Sequence, residues 1–321
     1  RRRVPGGAGR WGGTHMSDNG GAPGRGPGVS IRYGNWNSAD EVTESLASLD
    51  SGCRACSYEV IIVDNDSPEK PVSLERGDVN LVLNPENKGF GAGCNVGARH
   101  ARADHLLFLN PDTIVRNDVP AILLDFMRQH PEAGACGSVL LNTEGVISSG
   151  CSRRFPSLFN TILELSSLCF RFPHAPVIGR PFYGEREHDA TRAVDCVNGC
   201  CLMMRKDFFT EVGGFDEDFF LYYEETELLK RVALRGKKVF SVHTAEVTHL
   251  QHSSTKQYYD NEHYRILLQH LVSSDIYFKK HHGRLYAALC RLAAGWIYLA
   301  KFCVHRRKED LVFCKWGFYL V

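Results

Sequence analysis

Neither sign of charge is in excess in this 321-residue sequence: 38 Lys and Arg stand against 37 Asp and Glu, a formal net charge of +1. Without a basic excess there is no electrostatic footprint for nucleic acid, and no nucleic-acid partner is expected. No secretory leader is visible at the start, and the twelve cysteines are scattered along a long chain. They are therefore expected to be reduced thiols of a cytosolic protein, not a disulfide framework. Zinc-ligand spacing is missing as well. Cys53-Arg-Ala-Cys56 has no second CxxC to complete four ligands, and Cys196, Cys200 and Cys201 are not spaced for a site. The dinucleotide fingerprint G-x-G-x-x-G is also incomplete, because its candidate third positions in "NPENKGFGAGCNVGARHA" are Cys94 and Val96. That argues against a dehydrogenase. Finally, residues 1–28 have almost nothing apolar among ten glycines, five arginines and three prolines. Such a segment cannot offset its ordering entropy and is expected to be disordered.

What is present is an ordinary globular composition, 43% hydrophobic and 23% charged. From Val29 onward it alternates strand and helix. Val29–Tyr33 reads as a first strand, although Arg32-Tyr33-Gly34 breaks the apolar run that a buried parallel strand should carry. Ser38 reads as the N-cap of a helix reaching Leu49. Strands follow at Tyr58–Val63, Val79–Leu83 and Leu106–Leu109, with a helix after the glycine-rich loop to about Arg102 and another over Asp118–His130. This order predicts an α/β fold with a mostly parallel sheet flanked by helices. After Gly134 the pattern loosens. It tightens again with a short apolar helix over Leu158–Phe170 and a strand at Ala193–Val197 that continues as an apolar run to Met204. A helix from Glu224 to Gly236 follows, with Leu228, Val232 and Leu234 on its apolar side. Short strands are read at Val239–Val242 and Val247–Leu250, and a helix at Tyr258–Lys280 with Tyr264, Leu267, Leu268 and Leu271 on one face.

Residues 285–304 are nearly all apolar, broken by Arg291 and Lys301 and flanked by Lys279, Lys280, Arg284, Arg306, Arg307 and Lys308. A spanning helix needs about 20 apolar residues, and a central arginine costs roughly 2.5–3.5 kcal/mol on insertion scales. Composition fits a helix lying on anionic lipid better than one crossing it. A helix packed on the domain satisfies it equally.

Four clusters could carry chemistry. Asp64-Asn65-Asp66-Ser67 ends the second strand and could meet a nucleotide base, or merely form an Asx-turn. The glycines Gly89, Gly91, Gly93 and Gly97 open a helix, where backbone N–H groups can approach phosphate. Asp112, on the turn stiffened by Pro111 after the strand "LFLNPDT", could join one hard cation to phosphate oxygens at a carboxyl-terminal sheet edge. Glu224-Glu225-Thr226-Glu227 starts a helix, where acids also simply oppose the dipole.

In order and together, "VDNDS", "NPENKGFGAGCNVG", "LFLNPDT", "VNGCCLMMRKDFFTEVGGFDEDFFLYYEETEL" and "HLQHSS" resemble glycosyltransferase family 2, in particular its bacterial rhamnosyltransferase-like branch, over residues 29–283. The resemblance implies a GT-A fold within 29–283: a nucleotide-sugar half at 29–140, an acceptor and catalytic half at 141–283, and a C-terminal helical extension at 284–321. It implies a divalent metal (Mg²⁺ or Mn²⁺) held by Asp112 and His249, and donor contacts from Asn37, Asp64, Asn65, Asn87, Gly89, Phe90, Asn95, Asn110 and Asp112. Glu225 falls at the catalytic base, and His252 would be a neighbouring, non-ligating histidine. The reaction implied is inverting transfer of a sugar, a deoxysugar such as rhamnose from dTDP-rhamnose, to a saccharide or lipid-linked saccharide at the inner face of the cell membrane. A UDP-hexose donor and a catalytically silent nucleotide-sugar-binding partner are the alternatives. Three departures bear on this: Asn110 fills the first acidic position of the metal signature, and Glu225 and Glu227 stand where aspartates are usual.

Overall fold

The computed structural model describes residues 26–69, 72, 77–148, 150–179, 181–184, 188–250 and 263–318. The expected disorder of 1–25, the helix start at 258–262 and His252 lie outside the described residues, as does the side chain of Tyr264.

The chain lays down β1 (Val29–Asn35), α1 (Ala39–Gly52), β2 (Tyr58–Asn65), β3 (Val79–Asn84), α2 (Phe90–His100), β4 (His105–Leu109), β5 (Thr113–Val115), α3 (Val119–Gln129) and β6 (Ala133–Leu141). Next come β7 (Ser152–Arg153), α4 (Leu158–Leu165), α5 (Leu168–Arg171), β8 (Arg192–Val194), β9 (Cys196–Val197), β10 (Cys201–Arg205), α6 (Lys206–Glu211), α7 (Glu224–Leu234) and β11 (Lys238–His249). Three helices close it: α8 (His263–His282), α9 (Arg284–His305) and α10 (Lys308–Phe318).

Among the described residues nine strands form one sheet in the order β3-β2-β1-β4-β10-β6-β11-β5, with β8 also on β11. β3, β2, β1, β4, β6 and β11 run one way; β10, β5 and β8 run the other. β10 inserts between β4 and β6, so the strands before and after residue 140 share one sheet. One core lies between the sheet and α1 with α3 (Ile31, Tyr33, Leu46, Leu123, Met203). The other lies beneath α2, α6 and α7 (Ile61, Phe108, Phe209, Leu228). Burial on both faces explains why β2 and β4 read as unbroken apolar runs.

Several expectations are corrected. β1 runs unbroken to Asn35, because Arg32 is only 2% exposed and lies beneath α2, with Nη1 donating to Cys94 Sγ at 3.0 Å. Glycines make that room. A Cβ on Gly97 would stand 2.5 Å from Arg32 Cγ, and one on Gly93 2.8 Å from Nη2. The glycines read as phosphate-approaching are thus, at these two positions, packing glycines. Ser38 precedes α1, yet its side chain makes no cap bond; its hydroxyl donates to Asn35 Oδ1 at 3.0 Å. The region read as loosened after Gly134 opens on a nine-residue, almost wholly buried strand, β6, whose first six residues, Ala-Gly-Ala-Cys-Gly-Ser, carry little apolar signal. The helix read at 158–170 is two, α4 and α5, separated at Ser167 by a left-handed residue (φ 63°). The two strands read between 239 and 250 are one strand, β11, with an irregularity between Val242 and Glu246. On α7, Leu234 is 67% exposed, and Glu224, Thr226 and Glu227 are buried instead. Leu267 on α8 is likewise exposed, whereas Leu271 is buried. The cysteines are unpaired, and burial, then the Asp118 charge, pushes the Cys53 and Cys56 thiols up to about 12.

Candidate active site

The carboxyl ends of β1, β2, β3, β4 and β11 meet at one edge, and the residues singled out from sequence gather there. Register sets Asn35 opposite Asp64, and Asn35 Nδ2 donates to Asp64 Oδ2 at 2.6 Å. Asp64 also accepts the Ser67 and Val72 N–H groups at 2.9 and 3.1 Å. Locally it is the Asx-turn that its sequence permitted. Asn37, buried and with φ at 53°, donates its N–H to Ser67 Oγ at 3.1 Å and accepts the Glu69 N–H at 3.0 Å.

Asn65 links this edge to the glycine loop. Its Nδ2 donates to the Gly89 carbonyl at 3.3 Å, and its Oδ1 accepts Asn84 Nδ2 at 3.0 Å. Asn87 Oδ1 accepts the Gly89 N–H at 2.9 Å. Gly89 is the N-cap of α2 with φ at 99°, packed so closely on Phe220 that a Cβ would stand 2.7 Å from Phe220 Cα. The next N–H, of Phe90, donates to the Phe220 carbonyl at 3.0 Å. Asn95 is committed elsewhere. Its amide spans the Phe215 N–H and carbonyl (2.9 and 2.8 Å) and Glu217 (3.0 Å), clasping α2 to the segment before α7.

The turn after β4 places Asp112 against the end of β11. Thr113 pairs with His249 across the sheet, which sets His249 Nε2 3.2 Å from Asp112 Oδ2. The Leu250 N–H donates to the Asp112 carbonyl at 2.9 Å. Asn110 Oδ1 is buried there without a hydrogen-bond partner. Among the described residues no three His, Cys, Asp or Glu side chains gather as a metal cluster. The set Asn110 Oδ1, Asp112 carboxylate and His249 Nε2 therefore fits a hard divalent cation only if diphosphate oxygens and water complete its shell, the usual way magnesium is held. The orphaned Asn110 oxygen is consistent with that fit.

Helix α7 approaches this turn through Gly199-Cys200. Asn110 N–H donates to the Cys200 carbonyl at 2.9 Å. A Cβ on Gly199 would stand 3.2 Å from Glu225 Cβ. One dipeptide thus touches the Asn110–Asp112 turn on one side and Glu225 on the other. Glu225 is half-buried at the N-terminus of α7. Burial pushes its carboxyl up, against backbone hydrogen bonds and the Arg153 charge, which favour the anion. Glu224 beside it is buried with Oε2 unpartnered, and burial and then the Glu225 charge raise it further. Glu227 points away into the protein, where it accepts from Arg231 Nε at 2.9 Å and lies 3.3 Å from His281.

Two residues near Glu225 were not singled out from sequence. Arg153 reaches from β7 to Glu164 (2.9 and 3.1 Å) and lies 5.6 Å over the Tyr223 ring, two residues before Glu225. Gly199 reads as one glycine among 30. "VNGCC" was visible as a string, but not the approach of Gly199 to Glu225.

Glu225 at the start of α7 and the Asn110–Asp112 turn are thus linked through Gly199-Cys200 in a fold built on one mixed, mostly parallel sheet. The model of Glycosyl transferase family 2 matches residues 33–213, and the chain belongs to that family; it is a glycosyltransferase. Residues 184–253 match a second model, described as the N-terminal domain of galactosyltransferase. The chain is 28% identical over 251 residues to the N-acetylglucosaminyl-diphospho-decaprenol L-rhamnosyltransferase of Mycobacterium tuberculosis, covering 74% of this chain and 76% of that protein. It is 26% identical to the low-salt glycan biosynthesis hexosyltransferase Agl10 of Haloferax volcanii, covering 84% and 83%. GalNAc-T7, solved with UDP, GalNAc and Mn²⁺, superimposes with a TM-score of 0.54 at 15% identity over 79% of this chain and 51% of that one. That likeness concerns the fold alone, a GT-A-like sheet.

Proposed function

We propose that the protein is an inverting, metal-dependent rhamnosyltransferase that takes its sugar from dTDP-rhamnose and delivers it to a lipid-linked saccharide at the cytoplasmic face of the membrane. The observation that carries this is the Gly199-Cys200 bridge, which links Glu225 to the Asn110–Asp112 turn and so supports reading the one as base and the other as leaving-group site. The name of the mycobacterial relative supports the rhamnosyl donor and the diphospholipid acceptor.

In this reading Asn37, Asp64 and Asn65 border the nucleoside, and Asn87, Gly89 and Phe90 line the path of the diphosphate. Asn95 acts through the clasp that holds this loop to the segment before α7. Asn110, Asp112 and His249 would hold a divalent cation, which when bound neutralises charge on the departing diphosphate. Glu225 takes the acceptor hydroxyl proton as that oxygen bonds to the anomeric carbon and the bond to the nucleoside diphosphate breaks, giving inversion. Its raised pKa suits a base operating near neutrality.

The test is donor turnover, read as released nucleoside diphosphate, over a panel of dTDP- and UDP-sugars with Mg²⁺ or Mn²⁺. Hydrolysis of dTDP-rhamnose, lost with EDTA and in Asp112→Ala, is the expected result. Preference for a UDP-hexose would move the donor assignment. Metal-dependent nucleotide binding without transfer to any diphospholipid acceptor would leave a silent binding protein instead.

A further inference from the structure

Helix α9 is long and apolar enough to cross a membrane by length and composition, yet one of its faces is already taken. Ala287, Cys290, Ala294, Gly295 and Tyr298 are buried. Tyr286 Oη accepts the Leu158 N–H at 2.7 Å, tying α9 to the start of α4. Gly295 lets α10 approach so closely that a Cβ there would stand 3.3 Å from Gly317 Cα.

Of the two charges that interrupted the apolar run, Arg291 is turned away from solvent and Lys301 partly so. Arg291 Nε lies 3.5 Å from Asp275 of α8 in a largely buried pair. Lys301 is half-buried, with Nζ 5.3 Å from the Tyr298 ring. What remains outward is Leu285, Leu289, Leu292, Trp296, Ala300 and Cys303, all exposed, with Leu285 at 78% and Trp296 at 63%. Steps of four, three, four, four and three residues keep these six on one stripe of a 3.6-residue helix, about 27 Å long at 1.5 Å per residue. Phe318 of α10 stands against Trp296 at 5.4 Å and widens the stripe. Exposed cations bracket it: Arg284 at one end and Arg306, Arg307 and Lys308 at the other.

We infer that α9 is a docking helix for an anionic lipid surface, lying in the plane of the interface with this stripe in the acyl boundary and the terminal cations among headgroup phosphates. An uncharged stripe with basic ends is the composition that interface selects. A second copy of the chain fits less well. Antiparallel pairing of two stripes would bring Arg284 against Arg306, Arg307 and Lys308 of the other copy, and parallel pairing would bring each basic end against its equal. A span is excluded by the Arg291–Asp275 pair and by the packing of α9 on α4, α8 and α10. The significance of this surface for transfer rests on the membrane-face reading above; the binding itself does not.

The experiment is co-sedimentation of the full chain with phosphatidylglycerol–phosphatidylcholine vesicles and with phosphatidylcholine vesicles alone, with donor hydrolysis measured in parallel. Binding to the anionic vesicles is expected, and it should fall at least tenfold in Leu289→Gln/Trp296→Gln, with hydrolysis unchanged since neither residue touches the cleft. Arg306→Gln/Arg307→Gln/Lys308→Gln should abolish the preference for the anionic vesicles. Absence of binding to them, or binding indifferent to both variants, overturns the inference. So does a dimer in sedimentation velocity that Trp296→Gln dissociates, because the stripe would then belong to a second copy. Vesicle binding without donor turnover would count against the proposed reaction alone, and turnover without vesicle binding against the docking surface alone.

Discussion

Replacing Gly89 by alanine separates the structural from the functional role of the donor loop. At φ 99° an L-residue is strained by roughly 1–3 kcal/mol, and that strain falls on folding whatever the loop does. The added Cβ also meets Phe220, 2.7 Å from its Cα, where carbon atoms normally stand about 3.5–4.0 Å apart. Loop and Phe220 must separate by about 1 Å. Because Phe90 N–H hangs on the Phe220 carbonyl, the start of α2 moves with them. A displacement of that size near reacting groups can lower the rate about 100-fold. The expected result is a fall in kcat/KM for donor turnover of about that factor, together with a modest loss of stability in urea titration. Gly236→Ala is the control: its φ is 74°, but nothing lies within 4 Å of the added Cβ. It should lose less stability, since only backbone strain applies, and no activity. Gly89→Ala with unchanged turnover, or equal losses of activity in both variants, would refute the reasoning.

Further outcomes follow from the same geometry. Asp112→Asn and His249→Ala should each weaken metal-dependent binding of dTDP in calorimetry while leaving metal-independent binding unchanged; equal loss with and without metal would assign the pair to structure. Glu225→Gln should lower transfer about 10²–10⁴-fold, the ordinary contribution of a general base. In the native protein the rate should decline as pH falls through a Glu225 pKa that burial holds above the usual carboxylate range. Arg153→Met removes a cation that favours the ionised carboxylate, so this acidic limb should move to higher pH, and a limb that stays put would show that Arg153 does not act on Glu225. Glu227→Ala removes the carboxylate that faces Arg231 and His281; breaking such a pair costs about 3–5 kcal/mol, readable as a lowered midpoint in urea. Burial alone would raise Glu227, but hydrogen bonds from His281 and Arg231 outweigh it and hold its pKa below the ordinary value. Its stabilisation is therefore present above the usual carboxylate range and lost as pH falls through the folded-state pKa, so the variant should be less acid-sensitive than the native protein.

Wherever one short-range pattern decided the outcome, the sequence was sufficient. β2 and β4 are buried on both faces and had to be continuously apolar. Asp118 accepts the Ala121 N–H at the start of α3 and was readable as that helix's beginning. The motifs in their order were enough to mark the family and to put Asp112 and Glu225 among the candidates. Only the tertiary structure decided the rest, because those facts depend on residues far apart in the chain. Arg32 looked like a defect in β1 until Gly93 and Gly97, more than sixty positions on, were seen to house it. The first six residues of β6 are too small to signal burial, and the strand's place is fixed by β10 and β11. Asn95 could not be told from a donor contact until Phe215 and Glu217 took up its amide. The meeting of Asn110 with Glu225 runs through Gly199-Cys200, and whether Arg291 faced lipid or Asp275 depended on how α8 packs beneath α9. Local propensity and periodicity follow the chain, whereas a cleft and an exposed face are set by strand order and register, which bring together positions that no sequence window contains.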